Sequence, residues 1–163
     1  MKRSMTLLSA AVLMMAGAVS DAQPSRAEAD AALGVWVTEQ SKAHVEVYRC
    51  GEQYCGKIVW LKEPIKEGKI VLDAKNPDPK LRELPVLGML LMRDFTYDGD
   101  GEYVGGKIYD AESGDTYSAK LQCVNDTTLT LRGYVLIPLF GRTTTWVRFR
   151  GPREDPAAEV QKR

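Results

Sequence analysis

The sequence predicts an all-β protein in which eight antiparallel strands form an up-and-down barrel, with a long loop over one mouth. Apolar and polar residues alternate in most segments, which is the pattern of half-buried strands. Turn residues such as Asp98-Gly99-Asp100-Gly101 separate these segments, and a length of 163 residues suits one domain. A two-sheet sandwich is the other solution for such a run of strands. The barrel is favoured because closure removes exposed strand edges.

Eight short segments carry the strand pattern in chain order. They are residues 34–39, 44–49, 56–61, 86–97, 102–109, 116–124, 127–137 and 141–150. In the sixth segment Tyr117, Ala119, Leu121 and Cys123 share one face, which is expected to point inward. Cys123 is therefore expected to be a buried, inert thiol. A barrel of eight strands has room for its own side chains or for one small ligand.

The long loop runs from Lys62 to Pro85, between the third and fourth predicted strands. Asp78 is a suitable helix cap and Pro79 a suitable first helical residue, so a short helical turn is expected over residues 80–84. Connections of this length are uncommon in compact domains unless they act as lids or binding loops. We therefore expect this segment to lie across one mouth of the barrel.

Both ends of the chain are expected to lie outside the barrel domain, which is assigned to residues 33–150. Residues 1–22 begin with Lys2 and Arg3, continue as a short apolar run and end in small residues, the pattern of a cleaved secretory signal. No cysteine lies near the cut, which argues against a lipid anchor. Residues 23–32 are expected to be a loose lead-in with at most a frayed helical turn, and residues 151–163 a flexible tail. The predicted location is the periplasm or the exterior of the cell.

The charge balance excludes two kinds of partner. The sequence has 22 basic and 22 acidic residues, and removal of residues 1–22 leaves 20 basic and 21 acidic groups, a net charge of −1. A nucleic-acid-binding protein would need a basic face, so no nucleic acid is expected as a partner, and this charge gives no electrostatic attraction to anionic membranes. No second apolar run approaches the length of a membrane span, so no membrane insertion is expected.

Cys50 and Cys55 lie at the end of one predicted strand and the start of the next, across a four-residue turn. In an oxidising compartment the two thiols can form a disulfide, and closing so short a loop would stabilise the fold by about 2 kcal/mol. A thioredoxin-like motif would need two intervening residues and a helix N-terminus. We predict a structural disulfide in preference to a redox or metal site.

The sequence offers little for catalysis or metal binding. His44 is the single histidine, which excludes a zinc site with two histidines, and no Gly-x-Ser-x-Gly motif is present. Asp98–Glu102 resembles the start of a calcium loop, but Tyr109 stands at the twelfth position, where that loop needs glutamate. A hairpin turn explains the segment without a metal. His44, Glu46 and Asp110 are the candidates for an acid–base role, but we expect no catalytic residues, no cofactor and no metal.

Aromatic side chains are the best candidates for a ligand site. Trp36, Trp60 and Trp146 each lie in a predicted strand, with several tyrosines nearby. Large rings can fill the interior of a small barrel, which is the expectation for Trp36, or they can line an apolar cavity beside an arginine that contacts an anionic group. The residues predicted to bind ligand are Trp60, Tyr109, Tyr117, Arg142 and Trp146.

Short motifs resemble two groups of proteins. Gly34-Val35-Trp36 resembles the glycine-x-tryptophan signature of lipocalins, in which an arginine of the last strand packs over the tryptophan, and Arg148 occupies that place. A longer set of motifs resembles a family of secreted bacterial proteins catalogued as domain of unknown function 2147. This set comprises Cys50-Gly51, Cys55–Leu61, Asp73 with Asn76-Pro77, Gly106–Asp110, Gly133-Tyr134, and Gly141-Arg142 with Trp146–Arg148.

The second resemblance implies a lipocalin-like barrel with a hydrophobic cavity and no assigned reaction. The residues given structural roles are Gly34, Trp36, Arg148, Asn76 and Pro77. Two positions depart from the family pattern: Leu84 stands where a second arginine is common, and Tyr103 where a tryptophan is common. If that arginine contacts ligand in the family, the ligand of this chain is expected to differ.

The favoured function is an exported carrier of a small, mostly apolar ligand of the lipid or fatty acid class. One alternative is an interaction module with a filled barrel, whose loop over residues 62–85 docks another envelope protein. The other is a small envelope hydrolase or isomerase. Cavity volume separates the first two, because a carrier needs a void of a few hundred Å3.

Overall fold

The strands of the chain close into a single antiparallel barrel. The structure, a computed structural model, describes residues 25–151. Its strands are β1 (Gly34–Val37), β2 (Ala43–Cys50), β3 (Gln53–Leu61), β4 (Ile65–Lys66), β5 (Lys69–Ile70), β6 (Leu90–Gly99), β7 (Glu102–Asp110), β8 (Asp115–Asn125), β9 (Thr128–Tyr134) and β10 (Gly141–Arg148).

The barrel order is β1-β10-β9-β8-β7-β6-β3-β2, and the first strand pairs with the last, with Trp36 opposite Arg148. The predicted eight-stranded barrel is therefore confirmed, and the alternative sandwich is not formed. β4 and β5 form a separate two-stranded sheet inside the connection between β3 and β6. Because the strands alternate in direction, four connections gather at one mouth: residues 38–42, 62–89, 111–114 and 135–140.

Four strands are shorter than predicted: β1 and β10 each end two residues early, and β6 and β9 differ for reasons that the backbone shows. β6 begins at Leu90 rather than at Val86, because the backbone N–H of Val86 donates to the Val71 carbonyl at 3.0 Å, inside the long connection. β9 ends at Tyr134, because Leu136 has φ +66° and cannot continue an extended strand. Residues 86–89 and 135–137 therefore belong to the connections at the mouth.

Large side chains fill the half of the barrel opposite the mouth, which we call the closed end. Its core comprises Trp36, Val45, Val47, Tyr54, Met92, Phe95, Tyr103, Ala119, Leu121 and Leu129. The predicted inward face of β8 is confirmed at Ala119 and Leu121, which are fully buried. Packing here depends on glycine, because a Cβ atom on Gly106 would lie 2.3 Å from the Phe95 ring.

The segment before β1 plugs the closed end, which corrects the expectation of a loose lead-in. Arg26–Ala29 form a capped helical turn, and Ala32 is fully buried. The Ala32 N–H donates to the Tyr103 hydroxyl at 3.0 Å, and Arg49 forms a 2.6 Å ion pair with Asp30. Composition did not predict this packing because the partners come from distant strands. Residues 23 and 24 lie outside the described part of the chain.

The long connection lies over one mouth of the barrel, as predicted. Its expected helical turn is a short 3₁₀ turn at Pro79–Leu81, where the Asp78 side chain accepts from a backbone N–H at 3.0 Å. Val86 is buried and packs with Ala43 and Ile58. The connection is therefore anchored to the barrel at its end rather than detached from it.

Two sequence predictions concern residues beyond this range. The predicted signal segment, residues 1–22, and all but the first residue of the predicted tail, residues 151–163, lie outside residues 25–151. Across residues 25–151, no helix has both the length and the apolar character needed to cross a membrane. Within the same residues, no three His, Cys, Asp or Glu side chains are grouped as metal ligands would be.

Candidate functional site

An open cavity occupies the mouth half of the barrel. Its volume is about 610 Å3, and it is bounded by seven of the eight barrel strands and by all four mouth connections. Small-molecule sites typically measure about 300–1,000 Å3. We call it the mouth cavity. Its apolar wall is formed by Ala43, Ile58, Leu61, Val86, Leu91, Ile108, Leu131, Val135, Phe140 and Trp146.

The cavity is open because a glycine lies between its buried floor and the mouth. The floor consists of Ile58, Leu131 and Trp146, which are all buried. Gly133 faces inward above it, since a Cβ atom there would lie 3.7 Å from Ile108 and 3.9 Å from Tyr117. Both are ordinary contact distances, so a larger side chain at this position would enter the cavity. Glycine at position 133 therefore helps to keep the space empty.

The rim of the mouth cavity is polar. Arg142 forms a 3.1 Å ion pair with Glu39, and Lys42 forms a 3.5 Å ion pair with Glu112. The Arg142 side chain is largely exposed, and exposed pairs of this kind are weak, so they can exchange partners at little cost. The rim also carries the side chain of Tyr117. An apolar interior beneath a polar rim suits a molecule with an apolar body and one polar end.

Tyr109 connects the cavity wall to the long connection. Its hydroxyl donates to Asp73 at 2.6 Å, and the Asn76 amide donates to the same buried carboxylate at 2.6 Å. Burial raises the pKa of Tyr109 to about 12, and the hydrogen bond to Asp73 and its negative charge act in the same direction. Tyr109 therefore stays protonated near neutral pH and holds residues 62–89 against β7.

A second pocket, of about 410 Å3, lies between the long connection and strands β6 to β8. It shares Leu91 and Tyr109 with the mouth cavity, so the two spaces meet at these side chains. Pro77 and Leu84 line this second pocket. Leu84, one of the two departures from the resembled family, therefore lies outside the mouth cavity.

The structure brings four of the five predicted ligand-binding residues to one place. Trp60 is the exception. The pairing of β2 with β3 is irregular, so His44 lies opposite Trp60 while Val45 lies opposite Ile58. Trp60 consequently stacks on His44, with ring centroids 4.4 Å apart, and does not line the mouth cavity. The four that line it are Tyr109, Tyr117, Arg142 and Trp146.

The three candidate acid–base residues are not brought together. Asp110 lines the mouth cavity. Glu46 lies on the outer face of β2 and forms a 3.2 Å ion pair with Lys57. His44 lies on the same outer face, with the Phe149 ring 4.6 Å away. The proposed hydrolase or isomerase site is therefore not assembled from these side chains.

The predicted structural residues of the first and last strands meet at the closed end. The Arg148 guanidinium lies 4.1 Å from the centre of the buried Trp36 ring. Gly34 makes this approach possible, because its φ is +122° and a Cβ atom would lie 2.9 Å from an Arg148 nitrogen. Arg148 also donates to the carbonyls of Ala31 and Leu33 at 2.6 and 2.7 Å. It thereby ties the last strand to the lead-in segment.

The predicted disulfide is confirmed. Cys50 and Cys55 are bonded, with Cα atoms 5.9 Å apart, and they join β2 to β3 at the closed end. Cys123 is a free thiol, half-buried rather than fully buried, and burial raises its pKa. A raised pKa reduces the thiolate fraction, so the thiol is expected to react slowly.

Several residues around the mouth cavity were missed by sequence reasoning. Leu131 looks like an ordinary strand residue in the sequence, Phe140 falls between two predicted strands, and Gly133 looks only like part of a family motif. Asp73 also belonged to a motif, but its partner Tyr109 lies 36 residues away. A signal for Gly133 existed, because glycine on the inward face of an alternating strand indicates unfilled space.

Comparison with known proteins identifies both the fold and the family. No curated protein matches the chain. A solved structure from Helicobacter pylori, described as "Protein HP1028 from the human pathogen Helicobacter pylori belongs to the lipocalin family", is similar with a TM-score of 0.64. It is 24% identical and the match covers 80% of this chain and 88% of that chain, a likeness that shows the fold.

The family comparison covers the barrel from end to end. The family model described as "Uncharacterized protein conserved in bacteria (DUF2147)" matches residues 34–148, which run from the first residue of β1 to the last residue of β10. The resemblance found in the sequence motifs is therefore confirmed. The chain belongs to this bacterial family, and it has a lipocalin-like barrel.

Proposed function

We propose that the protein binds a small, mostly apolar molecule in the mouth cavity and performs no catalysis. The observation that carries this proposal is an apolar-lined, open space of about 610 Å3 inside a barrel whose other half is tightly packed. The packed half makes the barrel rigid, so the open half does not depend on a ligand for its shape. The lipocalin-like fold supports a binding role as well.

The ligand class follows from the wall and the rim. An acyl chain or similar body would contact the apolar wall and the Trp146 floor, while an anionic or hydroxylated end would reach Arg142 and Tyr117 at the rim. Tyr109 would hold the long connection at the edge of the cavity, and its hydroxyl is not available to the ligand because it already donates to Asp73. A lipid or fatty acid fits this arrangement.

The filled-barrel interaction module is the less supported alternative. Its distinguishing feature was an interior occupied by the protein's own rings, and the mouth cavity is larger than that hypothesis allows. The hydrolase or isomerase alternative is also less supported, because His44 and Glu46 lie on the outer face of the barrel while Asp110 lies at the mouth.

We further propose that the protein acts outside the cytoplasm, in the periplasm or beyond. The Cys50–Cys55 disulfide supports this location, because disulfides persist in oxidising compartments. The pattern of residues 1–22 supports export by a cleaved signal. N-terminal sequencing of the protein from its host would test the predicted cleavage of residues 1–22.

Binding can be tested by altering the cavity from within. Titration with a fluorescent fatty acid, together with native mass spectrometry of protein purified without detergent, should detect one ligand per chain. Gly133→Leu places a side chain in the cavity, where it would overlap a bound ligand at a cost of about 1–3 kcal/mol of binding free energy, so binding should weaken by about tenfold or more. Thr145→Leu is the matched control, because position 145 lies exposed on β10.

Two results would refute the proposed function. One is a wild-type protein that takes up no fatty acid probe and carries no co-purified molecule. The other is equal probe affinity in the wild type, Gly133→Leu and Thr145→Leu, which would show that the probe binds elsewhere.

A further inference from the structure

The connection between β9 and β10 exposes six consecutive apolar residues at the mouth. We call Val135-Leu136-Ile137-Pro138-Leu139-Phe140 the apolar tip. Leu136 is 92% exposed, Leu139 is 75% exposed and Phe140 is 76% exposed. Exposed apolar residues on a protein surface are usually scattered singly, so a continuous run of this kind indicates an interaction surface.

The apolar tip is held outward by Arg132 of β9. Its Nε donates to the Pro138 carbonyl at 2.7 Å, and one Nη donates to the Leu139 carbonyl at 3.2 Å. A second Nη of the same guanidinium donates to Thr143 at 2.8 Å. The carbonyls of Pro138 and Leu139 are thus satisfied on the barrel side, while Leu136 and its apolar neighbours face solvent.

The apolar tip is continuous with the mouth cavity. Val135 and Phe140, the two ends of the tip, also line that cavity. The long connection, which begins and ends at the same mouth, carries further exposed apolar side chains, including Ile65, Ile70 and Leu72. Of the thirteen large apolar side chains exposed among residues 25–151, ten lie in these two connections. Exposed apolar surface is therefore concentrated in the two connections that begin and end at this mouth.

We propose that this mouth docks on a lipid bilayer, with the apolar tip embedded in the interfacial layer. The proposal extends the proposed function, because an apolar ligand could then pass between bilayer and cavity without crossing water. The sequence argument against membrane insertion concerned spanning segments and net charge. An embedded loop of six residues requires neither.

A lipid surface fits the tip better than a protein partner. Standard protein interfaces involve about 20–30 residues a side and about one hydrogen bond per 100–200 Å2. The apolar tip offers six residues and no polar side chain. A bilayer surface does not have to match the shape of the tip. Because the charge of the chain is balanced, docking would depend on burial of apolar side chains and not on attraction to anionic headgroups. Docking should therefore occur on neutral lipid and persist in salt.

The test is flotation of the detergent-free protein with vesicles of neutral phosphatidylcholine, and in parallel with vesicles that contain anionic phosphatidylglycerol, at low and high salt. Leu136→Asp combined with Leu139→Asp should lower the partition coefficient by about tenfold or more, because both side chains leave the apolar layer. Val124→Asp is the matched control: Val124 is 56% exposed but lies near the end of β8 at the closed end. It should float like the wild type, and all three proteins should unfold at similar temperatures.

Four outcomes would overturn the proposal. They are failure of the wild type to float, equal flotation of the double variant, binding restricted to anionic vesicles and abolished by salt, and vesicle-free self-association that the double variant abolishes. The last would identify the tip as an interface between copies of the chain. Fatty acid uptake is measured separately, so loss of flotation with normal uptake overturns this inference alone, whereas normal flotation without uptake overturns only the proposed function.

Discussion

The closed end offers a sharp test of the packing argument through Tyr103→Phe. Tyr103 is fully buried, and its hydroxyl donates to the Ala29 carbonyl at 2.9 Å and accepts from the Ala32 N–H at 3.0 Å. The variant keeps the aromatic ring but removes the hydroxyl, so the hydrogen bonds to Ala29 and Ala32 are both lost. The Ala32 N–H is then left buried without a partner, which costs about 2 kcal/mol, and the half-buried Ala29 carbonyl adds about 1 kcal/mol.

The expected total loss is about 3 kcal/mol of unfolding free energy, or a fall of about 10 °C in Tm for a protein of this size. Urea unfolding and thermal denaturation followed by circular dichroism would measure it. Tyr54→Phe is the control: Tyr54 is also buried, but its hydroxyl lies 3.3 Å from Asp30, which keeps its ion pair with Arg49. The control should lose about 1 kcal/mol or less. Equal losses, or a loss below about 1 kcal/mol in Tyr103→Phe, would refute the reasoning.

Three further outcomes are expected. Stability should fall above about pH 10, because burial raises the pKa of Tyr103 and the unfolded chain therefore loses that proton first. Each further pH unit should lower the unfolding free energy by up to about 1.4 kcal/mol. An equal dependence of stability on pH in Tyr103→Phe would contradict this. Gly106→Ala should cost about 2–3 kcal/mol, since its Cβ would meet a ring at 2.3 Å, whereas Gly133→Ala should cost less than about 1 kcal/mol, and similar urea midpoints would be the contrary result. Tyr109→Phe should speed hydrogen exchange at the Val86 amide, because the bond to the buried Asp73 is lost, and unchanged exchange would show that the long connection is held by other contacts.

The two halves of the barrel have different physical tasks. The closed end is filled by rings and sealed by the lead-in, whose Ala32 is fully buried. The mouth half keeps Gly133 where a side chain would otherwise enter the cavity. Stability is therefore concentrated at one end, and the other end is left available for a ligand. The proposed lipid contact of the apolar tip belongs to this second half.

Much of the fold was predictable because the strands carry local signals. Alternation along β8 identified Ala119 and Leu121 as inward, and both are buried. The Asp98–Gly101 turn predicted a hairpin, and β6 and β7 are joined there. The short spacing of Cys50 and Cys55 predicted the disulfide. Each of these features depends on residues close together in the chain, so periodicity and turn chemistry suffice to find them.

The features that only the tertiary structure decided depend on residues far apart in the chain. Trp60 points outward because the pairing of β2 with β3 is irregular, and alternation within β3 alone cannot reveal that. The hydrogen bond between Asp73 and Tyr109 joins residues 36 positions apart. The mouth cavity exists only where seven strands meet. By itself the sequence determined the barrel class, the strand faces and the disulfide, because these follow from the order of residues close together in the chain. The placement of the aromatic rings, the plugged closed end and the mouth cavity depended on closure of the whole sheet, which brings distant residues together.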